Sequence, residues 1–423
     1  MRKDNHSKFE TLRSEFPFFT YNDFHFKVNN HTIEMNFDFS IGDSIRFNPK
    51  MKLHLNSYFS DTIKEEEIEG LVFHIGMIEL ISYWKSTCSK NIILKKYALN
   101  SSQQAWWKKL YRKGLGEFFY QNSITTSEEN FLNFIIDEKA QPSENLQYKQ
   151  ISPSDSVIVP IGGGKDSVVT LESLKPEKKI IPFIINPRGA TLDCARIGGF
   201  ESEDKIVILE REIDNTLLEL NKSGFLNGHT PFSAMLAFYT LLVSYGTNVR
   251  EIALSNESSA NEPTIPGTDI NHQYSKSVEF EEDFRKYVNH NMNGCSHYYS
   301  YLRPYSELEI AEKFAKYPDY FDIFKSCNAG SKENIWCCNC SKCLFAYIIL
   351  SPFIEDTKMI SIFGEDLLNK EELVQYFDEL TGISENKPFE CVGTIDEVNK
   401  AIEMIQQTRK DKYLIKHYYK HKR

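Results

Sequence analysis

The sequence predicts an α/β fold built on a parallel sheet, with an α+β unit in front and a cysteine-bound, helical segment behind. Three observations predict it. After Ser156, strand-like and helix-like segments alternate. A glycine-rich turn stands where the first of those strands meets its helix. Cysteines gather between Cys327 and Cys343. Alternating strands and helices imply a parallel sheet with helices on both faces.

The elements follow in order. Phe24, Phe26 and Val28 alternate with polar residues, Asn29-Asn30 intervenes, and Ile33, Met35, Phe37 and Phe39 alternate again. This is a β-hairpin pattern. From Glu65 to Tyr97 the spacing turns helical, with an apolar face through Ile68, Leu71, Val72, Ile75, Ile78 and Leu80,. Residues 1–150 therefore read as an N-terminal α+β domain. The polar stretch Gln141–Ser156, with Pro142 and Pro153, reads as a linker,.

Residues 151–320 carry the alternation. Val157–Ile161 is a strand, Asp166–Leu174 a helix, Lys179–Ile185 a second strand and Ile206–Leu209 a third. A helix over 231–245 has Thr230 as its expected N-cap and Pro231 in its first turn. Glu251–Leu254 is a fourth strand. Ligands of such sheets sit beyond the carboxyl ends of the strands. That rule places Gly162–Ser167, Asn186–Ala190, the residues after Leu209 and Ser255–Asn261 on one rim. Ser306 and Glu309 spell a capping box. Residues 321–423 form the cysteine-bound segment and a helical region. Its basic end, Arg409–Arg423 with Tyr413, Tyr418 and Tyr419, reads as an amphipathic last helix,.

The 423 residues carry 49 Lys and Arg against 59 Asp and Glu, a net charge of -10. That balance argues against a general nucleic-acid binder. No apolar stretch follows Met1–His6, so no signal peptide is expected. Runs such as Leu344–Leu350 are too short to span a bilayer, and no membrane partner is expected. Clustered cysteines point to metal binding in a reducing cytoplasm rather than to a disulfide scaffold. Oligomeric state is left open.

The run Val157-Ile158-Val159-Pro160-Ile161-Gly162-Gly163-Gly164-Lys165-Asp166-Ser167 carries the most chemistry. Glycines let backbone N–H groups converge on an anion, and the following helix adds its positive dipole end. The spacing fits neither a Walker A loop nor a dinucleotide fingerprint. It resembles the PP-loop of ATP pyrophosphatases, Ser-Gly-Gly-x-Asp-Ser. Gly163 to Ser167 match that pattern, and Gly162 replaces the first serine. The resemblance implies a Rossmann-like, adenine nucleotide α-hydrolase-like sheet that splits ATP into AMP and pyrophosphate.

Cys337, Cys340 and Cys343 are spaced C-x-x-C-x-x-C, with Cys327 ten positions earlier. Four thiolates suit a closed tetrahedral zinc site. Cys338 can substitute for Cys337, and an iron–sulfur cluster is the other chemistry such a set permits. Cys88, Cys194, Cys295 and Cys391 stand alone and read as core residues. On the rim, His229 opens a helix and Glu257 follows the fourth strand. His272 and Lys276 share six residues, and Arg303 is a cation that capping does not explain.

Together these segments resemble the ATP-dependent UDP-N-acetylmuramoyl-L-alanyl-L-glutamate epimerases of the MurL type, over nearly the whole chain. The resemblance rests on Lys113–Phe118, Pro160–Ser167, Asn227–His229, Ser255–Ser259, Asn271–Lys276, Leu302–Pro304, Ser326–Asn328, Trp336–Cys343 and Lys387–Gly393. Cys338 departs from it, since a small residue such as glycine is expected there.

The resemblance implies a small-molecule substrate, a UDP-linked muramoyl dipeptide, whose terminal L-glutamate is inverted through an acyl-adenylate. It implies ATP, Mg²⁺ and structural Zn²⁺ as cofactors. Gly162, Gly163, Gly164, Lys165, Asp166 and Ser167 would then hold phosphates, with Asp166 also on Mg²⁺ and Asn186 at the adenosine. His229, His272 and Glu257 are the expected acid–base groups, and Lys276 and Arg303 the substrate-binding cations. A 7-cyano-7-deazaguanine synthase-like enzyme is the alternative, sharing the loop and four cysteines. A tRNA-thiolating enzyme and a nucleotide-binding module without catalysis fit less of the chain.

Overall fold

The computed structural model describes residues 3–421 except Pro266. It is a mixed α/β fold with a large central sheet. The chain forms two compact units. The first comprises Met1–Ile158, Asp204–Ile252 and Val278–Tyr298. The second comprises Val159–Glu203, Ala253–Ser277 and Tyr299–Arg423. Met1, Arg2, Lys422 and Arg423, parts of the leader and last-helix expectations, lie outside the described residues.

In the first unit the hairpin forms as its alternation predicts. Phe18–Asn29 and Thr32–Ile41 pair antiparallel, with Phe24 opposite Phe37 and Phe26 opposite Met35. Lys50–His54 continues the sheet beside Thr32–Ile41, and Val207–Glu212 lies antiparallel to Lys50–His54. The helix Glu65–Trp84 is buried on nearly every side from Ile68 onward. Such a helix belongs to a core rather than a surface. It packs on the helix Phe232–Thr247 and on the strand Phe18–Asn29.

This helix stops at Trp84, thirteen residues short of the expected Tyr97. Cys88 turns the chain with a φ of 49°, and Asn91–Leu94 becomes a strand parallel to Phe18–Asn29. A short apolar run such as Ile92-Ile93-Leu94 satisfies helical and strand periods alike, so its partner decides.

His74, on the same helix, is buried among polar partners. Its Nδ1 meets the Gly70 carbonyl at 2.7 Å and its Nε2 meets the Tyr287 hydroxyl at 2.9 Å. Trp107 donates to that hydroxyl at 3.1 Å. Burial pulls the His74 pKa down to about 4, against the backbone hydrogen bond.

The strand Ser156–Pro160 pairs in parallel with Glu251–Leu254 through Val157–Glu251 and Ile158–Ile252. In the second unit, Lys165–Leu174 packs against Glu307–Phe314. The helix Ser341–Leu350 is almost wholly buried and touches Glu307–Phe314, Val374–Thr381 and Ile395–Arg409. The basic end forms the helix Tyr413–His421, with Leu414, Ile415 and Tyr418 inward and Tyr413 and Tyr419 exposed. Among the described residues, no helix is long and apolar enough to cross a membrane.

Candidate functional site

The glycine-rich turn lies in the second unit and opens the helix Lys165–Leu174 with Gly164 as N-cap and no side-chain cap. The first N–H groups of that helix therefore face outward without an internal acceptor. Gly163 has a φ of +81°, and a Cβ there would lie 3.0 Å from the Ala190 carbonyl carbon and from Thr191 N. Only glycine fits that conformation and that approach. A Cβ at Gly162 would meet nothing within 4 Å, so the serine of the PP-loop pattern would fit. Lys325 N–H donates to the Gly163 carbonyl at 2.9 Å and braces the turn. The Ser167 hydroxyl donates to the Gly164 carbonyl at 3.0 Å. Asn186, at the end of the strand Lys179–Ile185, has a φ of 46°.

Behind the loop, the buried Lys165 ammonium binds both Asp166 and Glu307. Burial opposes its charge, but the two carboxylates outweigh burial and raise its pKa. Burial also works to raise Asp166, yet Lys165, Lys342 and Lys276 hold it below the usual carboxylate range. Glu307 moves the other way, pushed up by burial against the pull of Lys165. One ammonium between two close carboxylates cannot neutralise both, so one of them holds its proton more tightly. Glu307 N–H is in turn taken by Glu397 at 2.8 Å. Ser306 and Glu309 form the expected capping box.

Arg303 donates to the carbonyls of Glu257 and Lys276, at 2.7 and 2.5 Å, and to Ser300 Oγ at 3.2 Å. Its guanidinium thus ties together two loops that carry candidate residues. Glu257 is buried, and its Oε2 has no hydrogen-bond partner among the described residues. Burial opposes charge on Lys276, while Cys391, Glu257 and Asp166 together raise its pKa.

Cys391 is half-buried rather than part of the core, a departure from the expectation for an isolated cysteine. Its sulfur lies 3.7 Å from His272 Nε2, and Lys342 binds its carbonyl. Its segment, Lys387–Gly393, is pinned along its length. Lys387 pairs with Glu262, and the Val392 carbonyl accepts from Gln273 Nε2 at 3.3 Å. Gly393 is packed so closely that a Cβ would lie 3.0 Å from Glu307 Cγ and 2.9 Å from Glu397 Oε2. Spacing along the chain carries no trace of these contacts, since Cys391 stands 119 residues from His272.

His229 belongs to the first unit, where its Nδ1 lies 3.1 Å from Glu117. Thr230 was expected to cap the next helix, but that helix begins at Phe232 with no side-chain cap. The Thr230 hydroxyl is taken by Lys85, which also binds the carbonyls of Gly228 and His229. Burial, then the charge of Arg211, lowers the Lys85 pKa to about 8.

The sulfur atoms of Cys327, Cys337, Cys340 and Cys343 lie within 4.8 Å of one another. Sulfur separations of 3.5 Å (Cys340–Cys343) and 3.7 Å (Cys337–Cys343) match a tetrahedron with metal–sulfur bonds of about 2.3 Å, whose edges are roughly 3.8 Å. The set can bind structural zinc. Cys338 turns away and donates to the Phe363 carbonyl at 3.1 Å. Its φ of 52° explains why a small residue is expected at this position,. Lys342, between two of the four cysteines, reaches Cys391, and Lys325 and Ser326 precede Cys327 beside the glycine turn. The cysteine cluster therefore supports both the loop and the Cys391 segment.

A model described as the MurL N-terminal domain matches residues 10–301, and one described as the MurL C-terminal domain matches residues 323–422. The chain belongs to the MurL family. A Micromonospora protein named UDP-N-acetyl-alpha-D-muramoyl-L-alanyl-L-glutamate epimerase is 32% identical over 334 residues, 77% of this chain and 72% of that protein. A Xanthomonas oryzae pv. oryzae protein of the same name is 33% identical over 331 residues, 75% of this chain and 70% of its own. One from Salinispora tropica, also so named, is 31% identical over 351 residues, covering 78% and 72%. This MurL-family chain keeps its loop, its cysteine set and its Cys391 segment inside the second unit.

Proposed function

We propose that this chain inverts the terminal L-glutamate of UDP-N-acetylmuramoyl-L-alanyl-L-glutamate to D-glutamate, using ATP and releasing AMP and pyrophosphate. The observation that carries the reading is membership of the MurL family, whose matched relatives bear that epimerase name over more than two thirds of their length. The ATP-dependent part rests on the glycine turn with its uncapped helix start. We read the second unit as a Rossmann-like sheet of the PP-loop type acting in the cytoplasm.

The chemistry explains why ATP is needed. The α-proton beside a carboxylate is very weakly acidic, because removing it leaves a dianion. Adenylating the carboxylate makes it an ester-like carbonyl, and an ordinary side-chain base can then take the proton.

We assign the roles on chemical grounds. N–H groups of Gly163, Gly164 and Lys165, with Gly162 and Ser167 alongside, form the phosphate cradle, and Asn186 lies toward the adenosine. Asp166, held ionised, suits Mg²⁺, whose charge would offset that of the phosphates,. Lys165 acts mainly within the loop, since Asp166 and Glu307 engage its ammonium. Lys276 faces the carboxylate being activated. Arg303 holds Lys276 and Glu257 in place through their carbonyls. We assign His272, Glu257 and His229 to the proton-transfer step, as acid–base or positioning groups.

The test uses purified protein, ATP, Mg²⁺ and the UDP-linked dipeptide in deuterated water. AMP, α-deuterated product and D-glutamate after acid hydrolysis are the expected result. AMP without α-deuterium would refute epimerisation and point to acyl transfer of the deazaguanine-synthase kind.

A further inference from the structure

We propose that the Cys391 thiolate, flanked by His272 and Lys276, is the base that removes the glutamate α-proton. The inference rests on the epimerase reading above and assigns one of its steps to a residue.

Three arguments support it. Cys391 has the surroundings a reactive thiol needs. His272 Nε2 stands 3.7 Å from its sulfur, the Lys276 ammonium interacts with it, and Lys342 lies at its carbonyl. Burial opposes ionisation, but Lys276, the His272 hydrogen bond and Lys342 outweigh it and bring the thiol down to about 6. Thiols so placed are thiolates at neutral pH, whereas inert structural cysteines lack such cations. The other isolated cysteines show the contrast, since burial raises Cys194 to about 12 and Cys295 to about 11.

The second argument is placement. Cys391 is a half-buried residue whose thiol sits among charged groups, while Cys88, Cys194 and Cys295 are core residues. The third is that polar groups nearby are left for a ligand. Among the described residues, Glu257 Oε2 and Gln273 Oε1 are buried without hydrogen-bond partners, and Glu257 shares Lys276 with Cys391. Buried polar atoms are rarely left unsatisfied unless a ligand or water completes them. An amide N–H of a glutamyl substrate supplies a donor to such acceptors.

The Cα–H bond of the adenylated glutamate breaks and an S–H bond forms on Cys391. The electron pair passes into the activated carbonyl, giving an enolate whose oxygen faces the Lys276 ammonium. A proton from solvent then forms the new Cα–H bond on the opposite face, and the Cys391 thiol returns its proton to solvent. His272 is a positioning residue here, since it holds the thiolate through Nε2.

Two measurements test the proposal. In deuterated water with ATP, Mg²⁺ and the UDP-linked dipeptide, Cys391→Ser should lower the ratio of α-deuterium to pyrophosphate by about 100-fold or more, the scale of a lost general base. Equal exchange in Cys391→Ser and wild type would overturn the cysteine's role and leave the epimerase reading standing. Wild-type protein that releases AMP with no α-deuterium would overturn that reading, and this inference with it.

The second measurement needs neither substrate nor a folded variant at position 391. Iodoacetamide labelling of the Cys391 peptide in wild-type protein, followed by mass spectrometry, should reach half its maximal rate near pH 6. In Lys276→Met it should move toward the ordinary thiol value of about 8.5. Wild-type labelling that already follows the ordinary value would overturn the proposal.

Discussion

Replacing Gly163 by alanine tests the loop most directly, because two separable costs meet there. The residue sits at a φ of +81°, and a left-handed backbone costs an L-residue about 1–2 kcal/mol. The added Cβ would also lie 3.0 Å from Ala190 and from Thr191 N. Those are mostly backbone atoms at the start of the helix Gly189–Ile197, so the loop must shift at a cost of about 1–3 kcal/mol. The sum is about 2–5 kcal/mol, by the same two estimates. If half of it is expressed in the step that uses the loop, the rate falls roughly 5- to 70-fold.

Gly199→Ala isolates the first cost. Gly199 has a φ of +99° but open space around it. The assay is pyrophosphate release at saturating ATP, with urea unfolding of each variant in parallel. The expected result is that Gly163→Ala loses more stability than Gly199→Ala and that only Gly163→Ala is slow. Gly163→Ala within about twofold of wild type would refute the argument that this loop's conformation serves catalysis, since even half the estimated cost exceeds that.

Two further predictions follow from the cysteine set and from His74. Cys337→Ser should abolish zinc binding measured by metal analysis, while Cys338→Gly should retain it, because Cys338 points to the Phe363 carbonyl and occupies a left-handed position. Stability should respond to pH through His74. Its folded pKa of about 4 lies below the ordinary 6.5, so the unfolded chain binds the extra proton between those values. The His74 contribution is therefore complete above pH 6.5 and is lost as pH falls toward 4. It amounts to about 3 kcal/mol at most. Urea titrations across that window should show the slope, and His74→Gln should flatten it.

Much of the fold was legible in the chain itself. The hairpin at residues 18–41, the strands Lys179–Ile185 and Glu251–Leu254 and the Ser306 capping box depend on alternation, short runs and local hydrogen bonding. These are interactions between near neighbours, so spacing encodes them. The glycine turn was readable for the same reason, as were cysteines three and six residues apart. Where a distant partner decided, the reading slipped. The helix from Glu65 ends at Trp84 because Asn91–Leu94 finds a parallel neighbour in Phe18–Asn29. The Thr230 hydroxyl accepts from Lys85 instead of capping the following helix.

The candidate site divides along the same line. Sequence alone determined a glycine-rich turn before a helix, a four-thiol set that could hold a metal and the family, because each is written in short motifs. Only the tertiary structure placed the Glu307 carboxylate on Lys165, turned Cys338 away from its neighbours and set Cys391 against His272. Electrostatic shifts depend on distance through space and on burial. A cysteine that stands alone in the chain thus acquires the cations that make its thiol acidic only when loops 119 residues apart close on one another.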